Sequence, residues 1–479
     1  MDLKKLAVIA VIILYALVAL NYPLSDDEAT FSVIGKSLDY GKLYSDIPDN
    51  KPPGIFFLTY LWQLFDFDIS SLERLKVLFT TLFTAFITMK LSELLFPSSK
   101  KFSLFILVFF ILASVFYLGG MVLLTETFEV FFLVSGTYLF FYSRKNNYQL
   151  NFFLLSALLF FIAFQFKQTA LFFLAIPLLV MFFEKEFKKL AIFLISYIVL
   201  FIFLLFILNM NGILDSYIDL VWLSNFTQRG GDRLAQLFTL DGLLTKIFLC
   251  AFILPVLVPA LFGISFTDDS VKSRQVGKPN LTIKNKLKQS IPILVPVVFV
   301  FILTMIIAQE FAFRFYLLEI TPFLLVFLPV TLTKKSPLTK LSVWIPLLLL
   351  VLFFCFVLYN LFIGGYNIGT NIEDVNFINS QLECDNILSN SVKYWHLSDY
   401  SPNAVYSLAW WNNLNFNPDE FKESLKDSCF VQYSTKSAYS LSNPVKKPTD
   451  QLSIAEEVCI CEDFERTNSI ISICYSCNK

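Results

Sequence analysis

The apolar positions of this chain gather into runs near the ~20 residues that a helix needs to cross a bilayer. They fall near 6–22, 74–95, 103–120, 123–142, 150–166, 169–183, 189–208, 244–263, 291–308, 314–331 and 341–363. The pattern predicts an α-helical polytopic membrane protein with about eleven transmembrane helices. The first run follows Lys4 and Lys5 and has no small-residue cleavage site after it, so it is expected to stay as a span. Between the first two runs lies a long polar interruption, the first outer loop at 23–73, which holds Ser25-Asp26-Asp27-Glu28 and Asp49-Asn50-Lys51-Pro52-Pro53-Gly54. Inside it, Gly54 to Phe65 is apolar over only about twelve positions, too short to span, and is expected as a helix lying at the interface.

After Phe362 the pattern changes. Gly364-Gly365 opens more than a hundred mixed polar residues, which predicts a membrane domain over 1–363 and a soluble extracytoplasmic domain over 364–479. The tail is expected to be a small α/β module, with strands at Asn386–Trp395 and Cys429–Tyr433 around a helix at Pro418–Leu425.

Composition agrees: the chain is 56% hydrophobic and 16% charged, with 56 Phe. A net charge of −1 gives no footprint for nucleic acid, and no Gly-rich phosphate loop is present, which argues against soluble nucleotide chemistry. The basic residues orient the chain. With the N-terminus inside, the inner segments collect Lys4, Lys5, Lys100, Lys101, Arg144, Lys145, Lys185, Lys188, Lys189, the 272–288 cluster, Lys334, Lys335 and Lys340, whereas promoting 54–65 to a span would put most of these outside. Asp27, Lys51, Glu126, Lys167, Arg229, Arg233 and Arg314 then lie at or near the outer face. The Asn225-Phe226-Thr227 sequon lies outside as well, and Asn280-Leu281-Thr282 inside.

Six of the eight cysteines, Cys384, Cys429, Cys459, Cys461, Cys474 and Cys477, fall in the tail. An even number in an oxidising compartment predicts three disulfides. The alternative is a zinc site from Cys459-x-Cys461 and Cys474-x-x-Cys477, whose first pair is too tight for a standard knuckle. The single histidine, His396, rules out a multi-histidine metal site and leaves a carboxylate as the expected base.

Ionisable groups held at a membrane face usually mark function. The acids can serve as general base and Lys51 can hold a phosphate. The plainer readings are a solvated acidic loop for Asp27 and Glu28, and a helix cap for Thr125-Glu126. The ordered set Asp27-Glu28, Leu38 to Gly41, Tyr44, Asn50-Lys51-Pro52-Pro53-Gly54, Thr125-Glu126, Lys167-Gln168-Thr169 and Arg314-Phe315-Tyr316 before Pro322 resembles the GT-C superfamily. Within it, the likeness is to the branch of protein O-mannosyltransferases (glycosyltransferase family 39) and lipid A aminoarabinose transferases. It covers about residues 1–330.

The resemblance implies a membrane glycosyltransferase that takes a sugar from a polyprenyl-phosphate donor, dolichyl phosphate in some relatives, and passes it with inversion to a protein, glycolipid or glycan on the outer face. It implies Asp27 as catalytic base with Glu28 in support and Glu126 as the second-loop acid. Lys51, Lys167 and Arg314 would face the donor phosphate, and Tyr44 and Tyr316 would line the acceptor cavity. No cofactor is implied beyond the lipid-linked sugar, and a divalent metal is compatible with the acids. Arg314-Phe315-Tyr316 stands where related chains have a His-Tyr pair. Ala409-Trp410-Trp411-Asn412-Asn413 is similar to the Trp-Trp-Asp signature of oligosaccharyltransferases but lacks the Asp. A lipid-linked-sugar flippase or a transporter would also hold charges in a cavity, yet would show internal repeats, and none is evident.

Overall fold

Most of the apolar runs fold as helices in the computed structural model of the chain. It describes residues 3–23, 25–38, 41–45, 47, 49–63, 69–117, 121–223, 295–300, 313–333, 337–363, 368–382, 387–389, 429–435, 450–465 and 469–475. The helices are α1 (Leu3–Asn21), α2 (Asp26–Ser37), α3 (Gly54–Gln63), α4 (Ile69–Leu95), α5 (Leu104–Phe116), α6 (Thr125–Lys145) and α7 (Leu150–Phe164). There follow α8 (Ala170–Phe173), α9 (Ala175–Phe183), α10 (Phe187–Met210), α11 (Leu214–Tyr217), α12 (Phe313–Leu325), α13 (Leu328–Thr333) and α14 (Pro337–Phe362). Arg74–Leu95, Phe187–Met210 and Val343–Phe362 are each long and apolar enough to cross a bilayer. Their exposed side chains, such as Phe79, Phe83, Ile202 and Leu352, have the lipid-like surface of a multi-pass membrane protein.

α6 lies at the centre, packed on α4, α7 and α12. Aromatic side chains fill the core between these helices, with Phe153 and Phe193 edge to face at 5.5 Å and Phe173 against Phe323 at 5.1 Å. The expected span at 169–183 is broken into α8 and α9, and the one at 314–331 into α12 and α13. Pro322 sits inside α12 and supplies no backbone donor, and the helix ends three residues later. The expected span at 244–263 and most of that at 291–308 lie outside the described residues.

The first outer loop is more ordered than an acidic loop. Asp26–Ser37 is a helix, begun by a capping box in which the Ser25 hydroxyl accepts from the Glu28 N–H and the Glu28 carboxylate accepts from the Ser25 N–H. α3 is the short helix expected at 54–65, and it packs on α2. Ile55, Phe56 and Thr59 are buried, while Phe57 and Leu61 are exposed. The two helices approach so closely that a Cβ on Gly35 would sit 2.6 Å from the Thr59 hydroxyl, which itself donates to the Phe31 carbonyl at 3.0 Å.

Beyond α14 come α15 (Ile368–Gln381), β1 (Ile387–Ser389), β2 (Cys429–Thr435), α16 (Asp450–Val458), β3 (Ile460–Glu465) and β4 (Ser469–Tyr475). The strands form one sheet in the order β1-β2-β4-β3, with β1 parallel to β2 and the other pairs antiparallel. The first expected strand is described only over Ile387–Ser389, the second runs on to Thr435, and the expected helix at 418–425 lies outside the described residues. The hairpin β3–β4 was not anticipated. β4 reads Ser-Ile-Ile-Ser-Ile-Cys-Tyr, with Ile471 and Ile473 buried, but its partner β3 is largely acidic and exposed, so the pair lacks a matched alternation. A single apolar cluster takes in Phe31 and Phe56 of the outer-loop helices, Val375 of α15, and Val431 and Ile471 of the sheet.

Cys461 and Cys474 stand opposite each other on β3 and β4 and form a disulfide. Cys429 and Cys459 are also disulfide-bonded, and Cys384 and Cys477 lie outside the described residues. The Cys461–Cys474 bridge commits two of the four sulfurs that a zinc site would use. Replacing both residues by alanine should destabilise the sheet by about 2–5 kcal/mol, the usual effect of removing a native bridge from a small domain. Thermal unfolding monitored by limited proteolysis of the tail should show this, with the melting of the membrane helices unchanged.

Candidate functional site

The Asp49–Gly54 segment is fixed from several sides. Asp49 is buried, and its Oδ1 accepts from the Lys51 N–H at 2.8 Å, closing a local turn. The Tyr44 hydroxyl donates to the Lys51 carbonyl at 2.8 Å. Tyr44 holds a left-handed φ of 71°, and its ring meets Tyr217 edge-on at 5.3 Å. Burial, with Tyr217 and Asp49 nearby, pushes the Tyr44 hydroxyl well above the usual tyrosine range and keeps it a donor. Pro52 and Pro53 are buried and stiffen the chain after Lys51.

This segment docks on the turn that follows α7. The Gly54 N–H donates to the Gln165 carbonyl at 2.7 Å, and a Cβ on Gly54 would lie 2.5 Å from that same oxygen, so only glycine allows the contact. Gln168 Nε2 donates to the Asn50 carbonyl and to the Val221 carbonyl, each at 3.1 Å. The ammonium of Lys51, a half-buried residue, rests 5.0 Å from the centre of the Phe31 ring. Asp27 precedes Phe31 by four residues on α2, so it shares that helical face, and it is exposed. Asp27 and Lys51 thus belong to the same side of α2.

Glu28 is turned into the protein. It is 1% exposed, and its Oε2 lies 2.6 Å from the guanidinium of Arg74, itself fully buried. Arg74 also donates to the carbonyls of Met121, at 2.8 Å, and Pro23, at 2.9 Å. One side chain therefore ties the end of the first span, the start of α2 and the segment leading to α6.

A buried acidic cluster forms where the α7–α8 turn meets α6 and α12. Lys167 Nζ donates to Glu126 Oε1 and to Glu319 Oε1, both at 2.7 Å. The Thr125 hydroxyl donates to Glu126 Oε2 at 2.9 Å, and the Thr169 hydroxyl lies 2.9 Å from Glu129 Oε1. Thr125 is the first residue of α6, but it bonds the neighbouring carboxylate and makes no side-chain cap. Among the described residues, no group of His, Cys, Asp and Glu has the arrangement to hold a metal ion.

Of the residues singled out from sequence, Glu126 and Lys167 are directly paired, and Tyr44 and Lys51 are joined through the Lys51 backbone. The Lys51 segment and the Lys167 turn are docked on each other. Arg314 and Tyr316 fall in the first turn of α12, the helix that carries Glu319. Arg229, Arg233, His396 and the Trp410-Trp411 pair lie outside the described residues. Sequence reasoning passed over Arg74, Glu129 and Glu319. Each is an ionisable residue in or beside an apolar run, and such residues need buried partners.

No protein-family model matches this chain, and no curated protein matches it. Solved structures do. The crystal structure of ArnT from Cupriavidus metallidurans in the apo state matches with a TM-score of 0.59 at 11% identity, covering 98% of this chain and 97% of that one. The crystal structure of ArnT from the same organism bound to undecaprenyl phosphate matches with a TM-score of 0.52 at 12% identity, covering 99% of each chain. At these identities the likeness is one of fold, and it runs through the membrane helices and the C-terminal tail together.

Proposed function

We propose that this chain is a membrane glycosyltransferase that moves a sugar from a polyprenyl-phosphate monosaccharide to an acceptor hydroxyl or amine at the outer face of the membrane, with inversion. The observation that carries the reading is the near full-length likeness to ArnT, one of whose structures holds undecaprenyl phosphate. The docking of the segment that carries Lys51 onto the turn that carries Lys167 supports it, because two basic residues of the expected site then lie on neighbouring segments.

In this reading Lys51 holds the donor phosphate. As the bond from the anomeric carbon to the phosphate oxygen breaks, negative charge grows on the leaving polyprenyl phosphate, and a fixed cation stabilises that state more than the bound donor. Asp27, exposed on the same side of α2, takes the acceptor proton as the new glycosidic bond forms on the opposite face of the sugar. The Lys167 ammonium is already held by Glu126 and Glu319, so its role is to orient Glu126, and the phosphate contact rests with Lys51. Glu28 supports Asp27 at a distance, by fixing the start of α2 through Arg74. The N-terminus lies inside, and the 364–479 tail outside.

The test is to reconstitute the purified protein and offer a panel of undecaprenyl- and dolichyl-phosphate sugars. Release of polyprenyl phosphate together with a glycosylated acceptor is expected. Movement of an intact lipid-linked sugar between leaflets, without release, would identify a flippase and overturn the reading.

A further inference from the structure

α6 runs for 21 residues from Thr125, which lies beside the Lys167–Glu126 pair, so its last turn with Arg144 and Lys145 ends about 30 Å away, the thickness of the hydrocarbon layer. Two turns meet at that far end, the one after α6 and the one between α9 and α10. Glu184 joins them, because it pairs with Arg144 and accepts from the Tyr148 hydroxyl at 2.8 Å. Each turn is also closed on itself. The Tyr148 N–H donates to the Ser143 carbonyl at 2.8 Å, and the Glu186 N–H to the Met181 carbonyl at 2.9 Å. Among the described residues, four that are not glycine hold a left-handed φ, and three of them are here: Asn147 at 55°, Tyr148 at 57° and Lys185 at 61°. Such a backbone persists only where its surroundings impose it, and positions of this kind gather where proteins hold ligands.

The frame presents cations. Lys145, Lys185 and Lys188 are exposed and Lys189 is half-buried, whereas Glu184 is taken up by Arg144 and Tyr148, which leaves Glu186 as the exposed acid of the two turns. Beside the lysines, Phe182, Phe183 and Phe187 are 54%, 45% and 56% exposed, and the Phe182 ring stands edge-on to both others at 6.0 Å. Phe187 opens a helix long and apolar enough to cross a bilayer, so rings and ammonium groups come together where hydrocarbon gives way to headgroups. A soluble anion would use the lysines and leave the rings uncovered. A molecule with an anionic head and acyl chains uses both.

We infer that the frame built by the α6–α7 and α9–α10 turns binds an anionic phospholipid, with Lys145, Lys185 and Lys188 at its phosphate and Phe182 and Phe187 against its acyl chains. This site lies at the opposite end of α6 from the Lys51 and Lys167 segments, so the lipid it takes is not the sugar donor. The inference goes beyond the proposed transfer and does not depend on it.

The full chain in detergent is titrated with phosphatidylglycerol and, separately, with phosphatidylcholine, and bound lipid is counted by native mass spectrometry. Phosphatidylglycerol should be retained in preference, and less so as salt rises. Replacing Lys145, Lys185 and Lys188 together by glutamine should lower its affinity at least tenfold, because each basic group beside an anionic headgroup is worth about fivefold. Glutamine leaves the Arg144–Glu184 pair in place, so melting should match the wild type. Phe182→Ser combined with Phe187→Ser should weaken retention as well, and Lys42→Gln, at an exposed lysine of the first outer loop, should change nothing. Equal retention of the two lipids by the wild type, or unchanged retention by the triple-lysine variant, overturns the inference. So does an equal loss from Lys100→Gln with Lys101→Gln, on the turn after α4, which would reveal a diffuse field in place of a site. Displacement of the lipid by inorganic phosphate overturns it too, since the acyl contacts would then count for nothing. None of these readings requires turnover, so failure of the glycosyltransferase reading would leave them standing.

Discussion

Replacing Asp27 by asparagine should lower sugar transfer by ~10²-fold or more, in the range of general-base catalysis, and leave donor binding almost intact. The substitution keeps the side chain's size at an exposed position in the first turn of α2, away from the buried Glu28–Arg74 contact, so the fold should be unaffected. Lys51→Ala makes the contrast. It removes the cation from above Phe31 but leaves the backbone bonds that Tyr44, Asp49 and Gln168 make to this segment. Donor affinity should therefore fall together with transfer, because the cation meets the phosphate in both the bound and the transition state. Single-turnover rates and equilibrium binding of undecaprenyl phosphate separate the two variants. Near-normal transfer by Asp27→Asn would remove the proposed base, and unchanged donor affinity in Lys51→Ala would remove the phosphate contact.

The largest expected effect on stability lies at Arg74. Arg74→Met takes away the partner of a carboxylate that is 1% exposed, and breaking a buried pair from one side typically costs about 3–5 kcal/mol. It also strands the Met121 and Pro23 carbonyls. Adding Glu28→Gln to Arg74→Met should recover part of the loss, because no unpaired charge is then left behind. Thermal unfolding of the single and double variants in detergent would measure this. A single variant as stable as the wild type would show that the contact contributes nothing to holding α2.

The apolar runs made the membrane helices legible, because a segment that crosses lipid must be apolar along its length whatever it packs against. α2 was hidden by the same reasoning. Asp26–Ser37 has three acids and a lysine among its twelve residues, so its hydropathy is that of a loop, and only Ser25-x-x-Glu28 announced a helix start. In the site, the motif residues Lys51, Glu126 and Lys167 were readable one by one, but their partners were not. Glu319 lies 152 residues from Lys167 and meets it only because α12 packs on α6. Arg74 is likewise separated from Glu28 by 46 residues. An isolated charge in an apolar run signals that a partner exists, but the packing of the helices decides which residue it is.

Backbone carbonyls tie the Asn50–Gly54 segment to the Gln165–Gln168 turn at both of its ends. A shift of the segment's backbone would break these bonds or carry with it the turn that bears Lys167. Under the proposed function, a donor that displaced this backbone would also act on the turn that bears Lys167. Gly54, whose missing side chain permits the closest of these contacts, is thereby the point at which the two segments are held in register.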